Sequence, residues 1–166
     1  MKPAQIAATL LLTAFPALAP AATMKLPEVK PAVTANLPDD WMPERSATGV
    51  LAESPDNVAT IYLEVVAEEE VESLIEDSIQ WLTEKHEVSV DTATKAVKDF
   101  EEGGRKWKRF IWTGNSREWG PTVIGFLSTD AGSGRLLTVT YWVSKRDSEK
   151  SLEALGKIFT SVKPVP

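Results

Sequence analysis

One histidine, twenty-four carboxylates and one dense run of bases and aromatics are the groups of this 166-residue chain that have chemistry to offer. His86 follows Leu82 by four residues, at the end of an amphipathic stretch, where an imidazole could act as base or ligand. At a helix C-terminus its ordinary role is to meet the last carbonyls. A serine nucleophile needs a base beside it and a sharp turn to present it, and no Gly-x-Ser-x-Gly elbow occurs. Gly132-Ser133-Gly134 lies between two strand-like runs with no helix after it, so it reads as a turn rather than a phosphate cradle. The absence of cysteine and the single histidine exclude zinc and other nitrogen- or sulfur-preferring metals. Glu68-Glu69-Glu70 and Glu101-Glu102 lack the spaced ligands and the glycine of an EF-hand loop. Acids are abundant, but no pair is singled out by spacing for glycosidase chemistry. The expectation is a non-enzyme with no catalytic residue, no cofactor and no metal site.

The run Arg105-Lys106-Trp107-Lys108-Arg109-Phe110-Ile111-Trp112 carries the densest side-chain chemistry, with Arg117 and Trp119 just beyond it. In a strand, Trp107, Arg109 and Ile111 share one face, and Lys106, Lys108, Phe110 and Trp112 share the other. Interleaved bases and aromatics suit a single strand, an anionic glycan or a lipid headgroup. The alternative is that the aromatics are core and the basic stems lie over them and pair with acids. If the run is a surface, its partner-binding residues are Lys106, Lys108, Arg109, Arg117 and Trp119.

The net charge of −6 conceals an asymmetry. Residues 39–102 carry eighteen Asp/Glu against four Lys/Arg, whereas residues 103–166 carry five against eleven. Such charges either cover solvated faces or make a dipolar surface that orients a partner. Acidity and export together argue against nucleic acid.

The chain starts with Lys2, an apolar run from Ile6 to Phe15, a break at Pro16 and the small-x-small triplet Ala19-Pro20-Ala21. That is the layout of a secretory signal peptide over residues 1–21, and the run is too short to span a bilayer. No second long apolar run follows, so no integral membrane span is expected. Without cysteine there is neither a disulfide nor a lipid-anchoring thiol, and an exported fold must rely on burial. The expected place is the periplasm, or the medium by the same signal.

The elements that must position these groups follow from periodicity. Residues 22–37 contain Pro27 and Pro31, run into Pro38, and read as a Pro-rich flexible arm. Residues 38–166 read as a single α+β domain, six tryptophans supplying ample core. A short strand over Ser46–Glu53, a turn at Ser54-Pro55-Asp56-Asn57 and a strand over Val58–Val66 come first. Glu68-Glu69-Glu70 open a helix whose stripe is Val71, Leu74, Ile75, Ile79 and Leu82. Strands follow at Val88–Val90, extended through Lys95–Phe100, then Arg105–Thr113, Val123–Ser128 and Leu136–Ser144. Gly103-Gly104 and the stretch Thr129–Gly134 turn between them. A helix over Ser148–Ser161 closes the chain, with stripe Leu152, Leu155, Phe159 and Val162. The order predicts a mainly antiparallel sheet with two amphipathic helices. Apolar residues on both faces of Phe110–Trp112 favour cover on both sides. Trp41 is expected to plug a sheet edge.

Leu37-Pro38-Asp39-Asp40-Trp41 followed by Ser54-Pro55-Asp56-Asn57-Val58 resembles the PsbP-like and DcrB-like families of exported proteins, which often show Pro-x-Gly-Trp and Ser-Pro-Asp-Gly there. Asp40 and Asn57 replace the usual glycines, and asparagine tolerates the left-handed turn. The resemblance spans roughly residues 37–163 in element order. It implies an α/β/α sandwich and a non-enzymatic accessory role. The resulting expectation is an exported accessory protein that docks an envelope protein. Its rivals are a carrier of a small ligand or lipid, and an immunity-type inhibitor of an exported toxin.

Overall fold

The computed structural model describes residues 21–145 and 148–165. Residues 1–20 of the expected signal peptide lie outside the described residues. The first feature departs from expectation. Residues 21–38 are an antiparallel hairpin of β1 (Ala21–Leu26) and β2 (Val33–Pro38), not a free arm. Met24, Leu26, Val33, Ala35 and Leu37 alternate inward and are buried. The prolines permit this because Pro27 and Pro31 fall in the connecting loop and Pro38 at a strand end, where no ladder donor is needed. The closing strand β10 (Lys163–Pro164) pairs with β2, giving a three-stranded sheet.

A turn of 3-10 helix, Asp39–Trp41, buries Trp41 in the core, as its role as a plug required. The seven-stranded sheet then forms from β3 (Glu44–Arg45), β4 (Gly49–Glu53), β5 (Ala59–Ala67), β6 (Val88–Glu102), β7 (Arg105–Ser116), β8 (Gly120–Gly132) and β9 (Arg135–Ser144). Its order is β3-β4-β5-β9-β8-β7-β6, and every described pairing is antiparallel. The Ser54–Asn57 turn closes as predicted. Asn57 sits at φ 55°, the Ser54 hydroxyl donates to Asp56 Oδ1 at 2.6 Å, and Ala59 N–H donates to Ser54 Oγ at 3.0 Å. The first of these hydrogen bonds is the main cause holding the Asp56 carboxyl below its ordinary range. The stretch Thr129–Gly134 is less loop than expected: β8 runs on to Gly132, leaving a tight Ser133-Gly134 turn.

Helix α1 (Val71–Lys85) follows a 3-10 turn at Glu68–Glu70, and α2 is Ser148–Ser161. The sheet is covered on both faces, and strand parity sorts the cover. Odd residues of β5 and β9, with Trp107 and Leu127, pack under α2 and the three-stranded sheet. Trp112, Ile124, Phe126 and Trp142 face α1 through Leu82. The stripe of α2 is rotated from the predicted one. Leu152 is 48% exposed while Ile158 is buried, because the helix presents Ser151, Leu155 and Ile158 to the core, with Val162 buried just past its end. The expected fold class holds: an α+β protein of mainly antiparallel sheet with two helices.

Candidate functional sites

The two faces are sealed to different degrees. On the α2 face the core is continuous. On the other face α1 buries only Leu82, and Val71, Leu74, Ile75, Ile79 and Trp81 stay half-buried. The helix therefore sits over the sheet with a groove along each flank.

The groove toward β6 and β7 encloses about 590 Å³. Its floor is Phe110, Trp112, Ile75 and Ile79; Glu72 and Glu76 of α1 stand on one wall, Lys95 and Lys108 on the other. Lys95 Nζ lies 5.1 Å from the Phe110 ring centroid and 5.8 Å from that of Trp112, and Lys108 Nζ lies 5.8 Å from Phe110. Each such contact contributes about 0.5–1 kcal/mol when exposed.

This structure disperses the residues singled out from sequence. Lys106 and Lys108 share the α1 face of β7. Arg109 points to the opposite face, its guanidinium 5.5 Å from the Phe100 ring. Arg117 lies beyond the far end of β7, about 30 Å from Lys108 along an extended strand. It pairs with Glu87 at 3.4 Å, an exposed bridge worth little. Half-buried Trp119 packs at the edge of the α1-side core, its carbonyl accepting from the Ser144 hydroxyl at 2.9 Å. Lys95, missed in the sequence reading, belongs with Lys108. The signal available was the Gly103-Gly104 hairpin, which sets Glu102 opposite Arg105, Glu101 opposite Lys106 and Asp99 opposite Lys108. That register also brings the end of the acidic half against the start of the basic half and offsets part of the charge asymmetry.

The groove on the other flank, toward β4 and β5, encloses about 390 Å³. Its floor carries Glu64, only 7% exposed, which accepts from Thr48 Oγ1 at 2.9 Å. Tyr62 donates its hydroxyl to Ser46 Oγ at 3.0 Å, and Ser78 of α1 reaches Thr140 across the cleft at 3.2 Å. Burial is the main cause raising the Glu64 carboxyl above its ordinary pKa, opposed by the Thr48 and Tyr62 hydroxyls. Burial likewise raises the Tyr62 phenol. Sequence alternation had placed Glu64 on the less buried face of its strand. Only the covering helix and β4 reveal it as enclosed.

A stability prediction follows from Glu64. A carboxyl whose folded pKa exceeds its unfolded pKa favours folding through its protonated form. That contribution is fully present below the unfolded value, about pH 4, and is lost as pH rises through the raised folded value. Glu64→Gln keeps an acceptor for Thr48 and carries no charge. It is expected to have the higher urea midpoint at pH 7 and to match the native chain near pH 3.5. A variant less stable than the native chain at pH 7 would show that the buried charge is compensated.

His86 stands at the end of α1, between two tryptophans. Its backbone N–H closes α1 on the Leu82 carbonyl at 3.1 Å. Its ring packs edge-on to Trp81 at 4.5 Å and tilted to Trp142 at 5.5 Å, and burial lowers its pKa. Among the described residues no helix is long and apolar enough to cross a membrane.

No family model matches the sequence, and no curated protein matches it. Solved structures do. The chain is similar to cyanobacterial PsbP (CyanoP) from Synechocystis sp. PCC 6803, with a TM-score of 0.56 at 9% identity over 89% of this chain and 94% of that one. It is also similar to LpqN, involved in cell envelope biogenesis of Mycobacterium tuberculosis, with a TM-score of 0.50 at 10% identity over 88% and 92%. At such identities the likeness is one of fold. The chain has the PsbP-like fold that its two short sequence stretches suggested; these neighbours do not show the DcrB-like half of that resemblance.

Proposed function

We propose that this is an exported, non-catalytic accessory protein that docks an envelope protein through the α1 side of its large sheet. One observation carries the reading: α1 covers that face incompletely and leaves an apolar-floored groove rimmed by opposite charges, while the α2 face is closed. The neighbour involved in cell envelope biogenesis supports the setting. Within this reading the docking residues are Lys108 with Lys95 around Phe110 and Trp112; Lys106, two residues before Lys108 on the same strand face, does not line the groove. Arg109, Arg117 and Trp119 lie outside it and serve as controls. An acidic-aromatic segment of the partner would lay its rings on Phe110 and its carboxylates on the two ammonium groups.

The test is a photo-crosslinking residue placed at Phe110 or, on the α2 face, at Leu152, in protein exported by its own signal. A single envelope component is expected to crosslink from position 110 and not from 152. The K95A/K108A pair is expected to reduce that product at least tenfold, with R117A unchanged. Equal products from both faces, or none from position 110, would sink the reading. The mass of the exported chain tests cleavage after Ala21 in the same preparation.

A further inference from the structure

The cleft on the β4 flank of α1 has the composition of a receptor for an organic cation, and we propose that it binds a quaternary-ammonium headgroup. Glu64 lies at its floor, and Glu44 and Asp77 stand at its margins. The one base lining it, Arg45, donates Nη2 to Met24 Sδ at 3.1 Å. Among the described residues no cation pairs with Glu64. A carboxylate removed from water is costly unless it is compensated, and the Thr48 hydroxyl at 2.9 Å, with the Tyr62 hydroxyl beside it, brings no opposing charge. A positive charge is the missing partner.

The walls specify which kind of cation. A hard metal ion demands about six oxygen ligands, and among the described residues no group of three or more acidic or imidazole side chains is placed to hold one. A large, weakly hydrated cation has the opposite needs: one carboxylate for charge, and apolar and aromatic surface for its methyl groups. Leu51, Leu74, Tyr62 and Trp81 supply that surface. The volume of about 390 Å³ falls within the range of small-ligand pockets, roughly 300–1,000 Å³. The inference stands apart from the docking reading, because the two grooves lie on opposite flanks of α1.

The same headgroup occurs on free cations and on choline lipids. The experiment is therefore calorimetric titration with choline and with its neutral carbon isostere 3,3-dimethyl-1-butanol, beside binding to phosphatidylcholine and phosphatidylglycerol vesicles. Choline is expected to bind at least tenfold more tightly than the isostere if the source is a free cation. Preference for phosphatidylcholine vesicles alone would assign a lipid headgroup. In either arm E64Q and, separately, W81A are expected to lose at least tenfold, while K108A on the other flank is unchanged. Equal affinity for choline and the isostere, undiminished binding by folded E64Q, or no binding in either arm would overturn the proposal. Crosslinking from Phe110 is read independently, so failure of one reading does not mimic failure of the other.

Discussion

A chain from which residues 21–38 are removed will not fold, although the composition of that segment is that of a free arm. Met24, Leu26, Val33 and Leu37 are buried against the face shared with α2, three of them completely. Fully burying such a side chain is worth roughly 1.5–3 kcal/mol. Four of them together rival the whole stability of a domain, about 5–15 kcal/mol. The deletion also removes the partner of β10 and the Asn36 N–H that donates to Ser161 Oγ at 2.8 Å, which ties the hairpin to α2. The milder variant L37A is expected to cost about 2–5 kcal/mol, read from urea denaturation followed by tryptophan fluorescence. A truncated chain with a cooperative transition, together with an L37A effect below about 0.5 kcal/mol, would restore the arm.

G49A is expected to be the most damaging single methyl group in the chain, costing about 3 kcal/mol or more. Gly49 pairs with Glu64 across β4–β5, and a Cβ there would fall within the Leu63 carbonyl oxygen and against the Glu64 backbone. Both clashing groups are main chain inside a ladder, so relief requires β4 to leave β5. Thr48 O, which accepts from Val65 N–H at 3.0 Å, would move with it, and so would the Thr48 hydroxyl on Glu64. The variant should therefore show a lowered urea midpoint and loss of any ligand affinity in the Glu64 cleft. Gly156, on the exposed face of α2, has nothing within 4 Å of an added Cβ and is the matched control. Equal midpoints for G49A and G156A would show that the β4–β5 approach is looser than described.

Much of the α1 side was legible in the residue pattern. The two-residue period of β7 put Lys108, Phe110 and Trp112 on one face and Arg109 on the other, and both placements hold. The Gly103-Gly104 turn was also visible, so Asp99 opposite Lys108 was within reach. The same count runs unbroken to Ala96 opposite Ile111, one residue from Lys95; what could not be read lies past it, where β6 shifts register and Asp91 comes to stand opposite Thr113. A bulge breaks the count that carries position from one strand to the next.

By itself the sequence determined the elements that depend on local pattern: the strand around Ile61-Leu63-Val65, both helices, the Ser54–Asn57 turn and the antiparallel class. These rest on periodicity and turn chemistry over a few residues, which act before any distant segment arrives. Only the tertiary structure decided what covers each face. Burial is a property of two surfaces, and a strand such as Met24–Leu26, or a carboxylate such as Glu64, carries no mark of the segment that will enclose it. Long-range packing made core of the N-terminal hairpin, turned α2 onto Ile158 in place of Leu152, and held α1 far enough from the sheet to leave grooves on both flanks.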